Sequence, residues 1–174
     1  MDFPLSIRPA NPSDAEAVAA VHVHGWQWGY RGLIPDGILD GLDVSERADR
    51  WRTIMTSEDR TASVYLAERG GRVVGFVSCG PARELNADDE STGEVYAIYQ
   101  EPDVAGTGVG RALFRRAVED LWNRGFDRAV LWVLETNALA RRFYEREGWH
   151  TDGATKTENF QGFALHELRY TFTR

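Results

Sequence analysis

Cysteine is nearly absent: Cys79 is the only one in 174 residues. No internal disulfide can form, and no cysteine cluster can hold zinc. Apolar runs are short, and none approaches the roughly 20 residues that a membrane-spanning helix needs. Positive charge is in deficit: 20 Lys and Arg against 27 Asp and Glu leave a net charge of −7. That argues against a protein built to grip a nucleic-acid backbone, although a local basic patch is compatible with it. A cationic small substrate fits the charge but is only weakly implied by it. The opening MDFPLSIRPA has no basic stretch leading into an apolar one, so it does not read as a secretory leader. With a single cysteine, the expected location is the cytoplasm. Repeats, low-complexity tracts and long linkers are missing as well. The simplest reading is one domain over residues 1–174, long enough to bury a real core.

What is present is a clear alternation of helix and strand signals. Ser6-Ile7-Arg8 reads as a short strand ended by Pro9. Asn11-Pro12-Ser13-Asp14 reads as a helix start, with Asn11 as cap, Pro12 at the first helical position and Asp14 in the first turn. Val18, Val21 and His22 continue at helical spacing, and Gly25 is expected to end or kink that helix. Asp43-Val44-Ser45-Glu46 offers a second start, and Val44, Ala48, Trp51 and Met55 form one apolar stripe. SVYLAE and VVGFVS flank Arg69-Gly70-Gly71-Arg72 and predict a hairpin. Glu84 to Glu90 reads as an acidic, solvated loop. EVYAIYQ is a further strand. Val109, Leu113, Ala117 and Leu121 recur every four residues along a helix that Gly125 stops. AVLWVL is a strand apolar enough to be covered on both faces. Asn137 opens a short helix with Leu139, Ala140 and Phe143 inward, and Gly148 ends it. Strand-like runs surround Trp149 and extend from Leu165 to Phe172. The order β-α-α-β-β-β-α-β-α-β-β describes a mixed α/β fold layered around one sheet.

The stretch VAGTGVGRALF, Val104 to Phe114, places three glycines at alternate positions just before a helix. Glycines let a backbone approach a ligand closely, and a helix start carries unpaired N–H groups and partial positive charge. Together they suit an anion. A P-loop needs Gly-Lys followed by Ser or Thr, and no lysine occurs here. A dinucleotide fingerprint needs a third glycine where this chain has Arg111.

A third pattern fits: strand, Gly106-Thr107-Gly108-Val109-Gly110, amphipathic helix, strand, then LETNALARRFYEREGW. This resembles the GNAT superfamily of acetyl-CoA-dependent N-acetyltransferases. The resemblance covers most of the chain and is strongest from Glu94 to Trp149. It implies a central, mostly antiparallel twisted sheet of about seven strands with flanking helices. It also implies acetyl-CoA as acyl donor, with no metal, and direct attack by the acceptor amine in a ternary complex. The family's pyrophosphate cradle would fall on the main-chain amides of Gly106, Thr107, Gly108, Val109, Gly110 and Arg111. Ala105 stands where the family usually has Arg or Gln, so a side-chain contact is missing there and no amide is lost. The strand residues Ile98, Tyr99 and Gln100 match the segment that holds the pantetheine arm through backbone groups. Asn137 matches a contact to that arm and is also a plain N-cap.

The resemblance assigns chemistry as well. Glu94 matches a position that is often the base, sometimes through water; otherwise it is a surface charge at the strand edge. Along a regular strand Glu94, Tyr96 and Ile98 share one face. Tyr144 matches the tyrosine that acts as general acid toward the coenzyme A sulfur; otherwise it is a half-buried aromatic beside Phe143. The segment joining the first two helices in the family helps to build the acceptor pocket, and here it supplies Trp26, Trp28, Tyr30 and Arg31. Trp26 and Tyr30 either hold a cationic amine by cation–π attraction or serve as core or dimer contacts. His22 and His24, two apart on a helix, point to nearly opposite sides and do not suit a shared metal. The expected activity is acetyl transfer to a small-molecule amine or a peptide N-terminus, with no nucleic-acid or membrane partner, and with homodimerisation open. The alternative is a non-catalytic acyl-CoA sensor or interaction module of the same fold.

Overall fold

The computed structural model describes residues 3–58, 61–83 and 91–174. Its elements are β1 (Leu5–Pro9), α1 (Ala15–Gly29), α2 (Asp36–Asp40), α3 (Val44–Thr56), β2 (Ser63–Arg69), β3 (Arg72–Pro81), β4 (Thr92–Gln100), α4 (Val109–Asn123), β5 (Arg128–Leu134), α5 (Ala138–Arg146), β6 (His150–Phe160) and β7 (Phe163–Thr173). The order is the expected one with one short helix, α2, added. The acidic run from Glu84 to Glu90 lies outside the described residues.

Seven strands form one sheet in the order β1-β2-β3-β4-β5-β7-β6. Only β4 and β5 run parallel. The β2–β3 turn is Gly70-Gly71, both at positive φ (61° and 77°), which suits a two-residue hairpin. One face of the sheet carries α4, whose Val109, Leu113, Ala117 and Leu121 are fully buried as their spacing predicts. The other face carries α1 and α3, where Val18, Val21, Ala48, Trp51 and Met55 close over Leu66 and Phe76. Each fully buried side chain of this size stabilises the fold by about 1.5–3 kcal/mol.

Local chemistry sets the helix starts. Asn11 and Asp14 form a reciprocal capping box around a 3-10 turn, Pro12–Asp14, that leads into α1. The Asp43 carboxylate accepts the Glu46 N–H at 2.7 Å and caps α3. Gly25 neither ends nor kinks α1. The helix runs on to Gly29, and Gly25 is where it presses on β4: a Cβ there would sit 2.9 Å from Tyr99 Cβ. A close approach, not a break, is the reason for glycine. Trp26 and Trp28 therefore belong to α1 rather than to a loop. Beyond it, Arg31 donates to Asp36 and Asp40 (3.0 and 2.9 Å) and Gln27 donates to the Leu39 carbonyl at 3.1 Å, which holds α2 against α1. In α5, Leu139 is exposed, not inward; Tyr144 is the residue that helix buries, with Ala140 and Phe143 packed beside it.

Glu147 joins α4 to the end of α5. Its carboxylate accepts from Arg111 (2.6 Å) and Arg115 (3.1 Å). Burial would raise its pKa, but the two guanidinium hydrogen bonds outweigh burial and hold it below its ordinary 4.5. A lowered carboxylate contributes stability that is present above the unfolded value and is lost as pH falls through the folded one. Glu147→Gln is expected to lower the melting temperature at pH 7 by about 2–4 °C, for a loss of about 1 kcal/mol. The gap to wild type should shrink below pH 4.5; thermal unfolding followed between pH 7 and 3.5 checks this.

Candidate active site

The glycine loop opens α4. Gly106 and Gly108 both have positive φ (77° and 91°), and a Cβ on either would meet nothing within 4 Å. The glycines are there for backbone conformation, and the space beside them is open. Gly108 is the N-cap and offers no side chain. The first bond from the helix to its cap runs from Ala112 N–H to the Gly108 carbonyl at 3.0 Å. The amides of Val109, Gly110 and Arg111 stand before it, outside the helical ladder. Ala105 N–H and Thr107 N–H are used within the loop, by Pro102 and Val104 carbonyls. The Arg111 Nε is taken by Glu147, while the side chain as a whole stays 56% exposed.

A second set of unpaired backbone groups lies along β4. This strand pairs with β3 from Gly93 to Gln100, but with β5 only at Thr92, Glu94 and the Gly93 between them. Glu101 N–H donates to the Val74 carbonyl at 2.8 Å. Antiparallel pairs alternate, so Tyr99 opposite Phe76 and Ala97 opposite Ser78 are the bonded pairs. Ile98 and Gln100 therefore turn their N–H and C=O groups away from β3, toward the opening between β4 and β5. The Gln100 side chain lies against α4; its Oε1 is buried without a donor, 3.2 Å from where a Gly110 Cβ would stand.

The faces of β4 differ from the regular alternation. Cys79 is opposite Val95 and Ser78 opposite Ala97, so Tyr96 is an extra, bulged residue. Val95 and Ile98 pack on the α4 side, whereas Ala97 and Tyr99 pack on the α1–α3 side. Glu94, Tyr96 and Ile98 consequently do not share a face. Tyr99, expected at the cofactor, has its backbone turned to β3 and its ring on the side opposite the glycine loop.

That ring joins an aromatic cluster. Tyr30 and Tyr99 hydroxyls are 3.1 Å apart. Trp26 lies 5.0 Å from the rings of both Tyr30 and Phe160, and His22 stacks on Tyr99 at 4.9 Å. Trp26 Nε1 is buried with no hydrogen-bond partner. Burial drives the Tyr30 and Tyr99 pKa values up, so both phenols stay protonated. His22 accepts the Trp51 indole N–H at 3.1 Å, and burial, with Arg47 adding to it, pushes its pKa down to about 3. It is a neutral core acceptor. His24 faces elsewhere and meets Glu101 at 3.0 Å.

Tyr144 is buried on α5 against Phe114 and Tyr170, and its hydroxyl makes no hydrogen bond to a described residue. Burial raises its pKa strongly, with the nearby Tyr99 hydroxyl adding to the effect. Asn137 caps α5 by accepting the Ala140 N–H at 3.1 Å. The structure thus gathers Tyr144, Tyr99, Tyr30 and Trp26, two of them from the α1 segment and one each from β4 and α5. It sets Glu94 apart. Glu94 lies five residues before Tyr99, about 15 Å along the strand. Its side chain is fully buried and accepts from Arg83 Nη2 (2.6 Å) and Arg83 N–H (2.9 Å). Phe160 and the Tyr99 ring were not legible as site residues. Phe160 lies in the polar stretch TKTENF, and the Tyr99 ring is aimed by a bulge that has no sequence signature.

A sheet parted between two parallel strands, with unpaired helix-start amides at the opening and protonated phenols behind it, is a frame suited to group transfer. The chain belongs to the acetyltransferase (GNAT) family, whose model matches residues 26–149. An uncharacterized N-acetyltransferase of Bacillus subtilis, YuaI, is 34% identical over 134 residues, 76% of this chain and 73% of that protein. The PaiA N-acetyltransferase of Thermoplasma acidophilum, solved in complex with coenzyme A, has a TM-score of 0.73 at 15% identity over 99% of this chain and 100% of its own. The yncA protein of Salmonella typhimurium, solved with its cofactor acetyl-CoA, has a TM-score of 0.72 at 21% identity over 98% and 94%.

The loop geometry separates two alanine substitutions. Gly108→Ala places an L-residue in the left-handed region and is expected to cost about 1–2 kcal/mol. Gly110→Ala meets only the Gln100 amide end at 3.2 Å, which has room to shift, and should cost less. Melting temperatures of the two variants, measured side by side without ligand, check the ranking.

Proposed function

We propose that the protein moves the acetyl group of acetyl-CoA onto the amine of a small molecule or a peptide N-terminus, by direct attack in a ternary complex. The observation that carries this reading is one juxtaposition. The unpaired edge of β4 at Ile98 and Gln100 leads straight to the unpaired amides of Val109, Gly110 and Arg111. A ligand with an amide-bearing arm ending in a pyrophosphate matches both: the arm adds to the strand edge, and the anion meets the helix start. The open space beside Gly106 and Gly108 suits it, and two proteins of this fold were solved with coenzyme A or acetyl-CoA. Acetyl-CoA, when bound, supplies the activated thioester. In this reading the amides of Gly106, Val109, Gly110 and Arg111 hold the pyrophosphate, the Thr107 N–H being used by the Val104 carbonyl; Ile98 and Gln100 hold the arm, and Asn137 touches it while capping α5. Tyr99 moves to the acceptor side with Trp26 and Tyr30.

Tyr144 holds a proton on its Oη where a departing thiolate would need one. A thiol has a pKa near 8.5, below that of a free phenol at about 10, and burial raises Tyr144 further. Full proton transfer is therefore uphill, and Tyr144 acts as a hydrogen-bond donor to the sulfur. Glu94 takes the amine proton through intervening water. For that, Arg83 must release one carboxylate oxygen; its side chain is 56% exposed and has room to swing out.

Mixing the protein with acetyl-CoA and classes of amine is expected to release free thiol above the hydrolysis background. Glu94→Gln and Tyr144→Phe should each lower kcat by about 100-fold while the KM for acetyl-CoA moves little, the first through a lost base and the second through a hydrogen bond to the sulfur made in the transition state. The hold of Arg83 on Glu94 favours one second reading, a binding module that takes acyl-CoA without turnover. Saturable acetyl-CoA binding with no thiol release from any amine class would establish that reading instead.

A further inference from the structure

The arginines around α1, α2 and α3 are matched to carboxylates with one exception. Arg31 takes Asp36 and Asp40, Arg52 takes Asp49, and Arg50 has Glu46 at 3.9 Å. Arg47, between them on α3, has no ion pair or hydrogen bond to any described residue. Its guanidinium is partly buried and lies 5.9 Å from the Trp26 ring centre. It is close enough to His22 and Tyr99 for its charge to act on both. Burial works against that charge, with Arg50 adding repulsion, while Tyr99 and Glu46 partly offset this at longer range. Guanidinium groups stay charged, so a partly desolvated one without a carboxylate is a site for an anion. The indole N–H on that ring is buried and makes no well-formed hydrogen bond; the Tyr99 hydroxyl is the acceptor near enough to feel it. His22 is neutral, and Tyr30 and Tyr99 are protonated, so none of these three supplies the counter-charge.

We infer that the acceptor is an amine that also carries an anionic group, a carboxylate or a phosphonate, held by the Arg47 guanidinium beside the Trp26 ring. This rests on the acetyl-transfer reading above and names its substrate class. It also alters the role of the aromatic cluster. Its faces border the anionic end of the acceptor, and Arg47 selects among amines that the aromatics alone would admit equally.

The test uses matched acceptor sets with a common side chain: an amino acid, its amide, its decarboxylated amine and its 1-aminoalkylphosphonate. With acetyl-CoA, kcat/KM for the acid or the phosphonate should exceed that for the amide by about 10- to 100-fold, the worth of a charge-assisted hydrogen bond. The better of the two anions identifies the headgroup. Arg47→Met keeps an unbranched stem over Trp26 and removes the charge; it should collapse the acid-to-amide ratio to about 3-fold or less, chiefly through the acceptor KM. Equal rates for acid and amide in the wild type, or a parallel loss of both in Arg47→Met, would overturn the inference. Tryptophan fluorescence titrated with N-acetyl amino acids and their amides in the presence of coenzyme A gives a readout that needs no turnover. Binding selective for the acid and lost in Arg47→Met supports the anion site even where no thiol is released, a result that would sink only the acetyl-transfer reading. Absence of acid-selective binding in the wild type overturns the site itself.

Discussion

β4 is bonded to β3 along nearly its whole length and to β5 at three residues, and the rest of the molecule is arranged around that parting. A strand buried mid-sheet with one edge unpaired is costly unless something else meets its N–H and C=O groups. The opening it leaves is a place inside the sheet where a ligand can take the role of a strand. β5 turns instead to β7, with which it pairs from Arg128 to Leu134. The β6–β7 hairpin then reaches across to the α1–α2 segment, and Phe160 comes to lie on Trp26. Helix α5 rises between these strands and delivers Tyr144.

The two sides of the opening have different physics. On the α4 side the contacts are main chain: amides before a helix ladder and a strand edge, with glycines that keep side chains out of the way. Side-chain identity matters little there, so Ala105 in place of a longer residue leaves the amides unaltered. On the α1–α3 side the groups on offer are side chains: phenols kept protonated by burial, a buried indole, and a guanidinium with no carboxylate bonded to it among the described residues. Main-chain recognition suits a ligand common to a family, and side-chain recognition suits a partner particular to one member. Glu94 belongs to neither group. It is held at the closed end of the β4–β5 pair by Arg83.

Much of this was legible in the residues. The every-fourth-residue stripe on α4, the Asp43 cap of α3, the Gly-Gly hairpin and the Asn137 cap of α5 are local features, set within a few residues of one another, and they formed as read. The glycine loop was legible because positive φ and the lack of a side chain are demands that only glycine meets. Features that depend on distant contacts were not legible. Gly25 looked like a helix end because nothing nearby in sequence shows Tyr99 packed so close that a Cβ on Gly25 would stand 2.9 Å from it. Leu139 looked inward because α5 is short and a rotation of a fraction of a turn decides which apolar residue is covered. The Tyr96 bulge shifts every later side chain on β4 to the other face, and a single extra residue in a strand leaves no mark on its composition.

The sequence alone determined the elements, their order, the anion-suited loop and the kind of residue available for proton chemistry, because each follows from short-range geometry and side-chain type. Only the tertiary structure decided which of those residues meet. It brought Tyr144 from α5 to Tyr99 and Tyr30, turned the Ile98 and Gln100 backbone to the opening, closed Arg83 over Glu94 and left Arg47 unmatched beside Trp26. Those outcomes depend on strand register and on where β4 parts from β5, and register is a property of the paired strands rather than of either one.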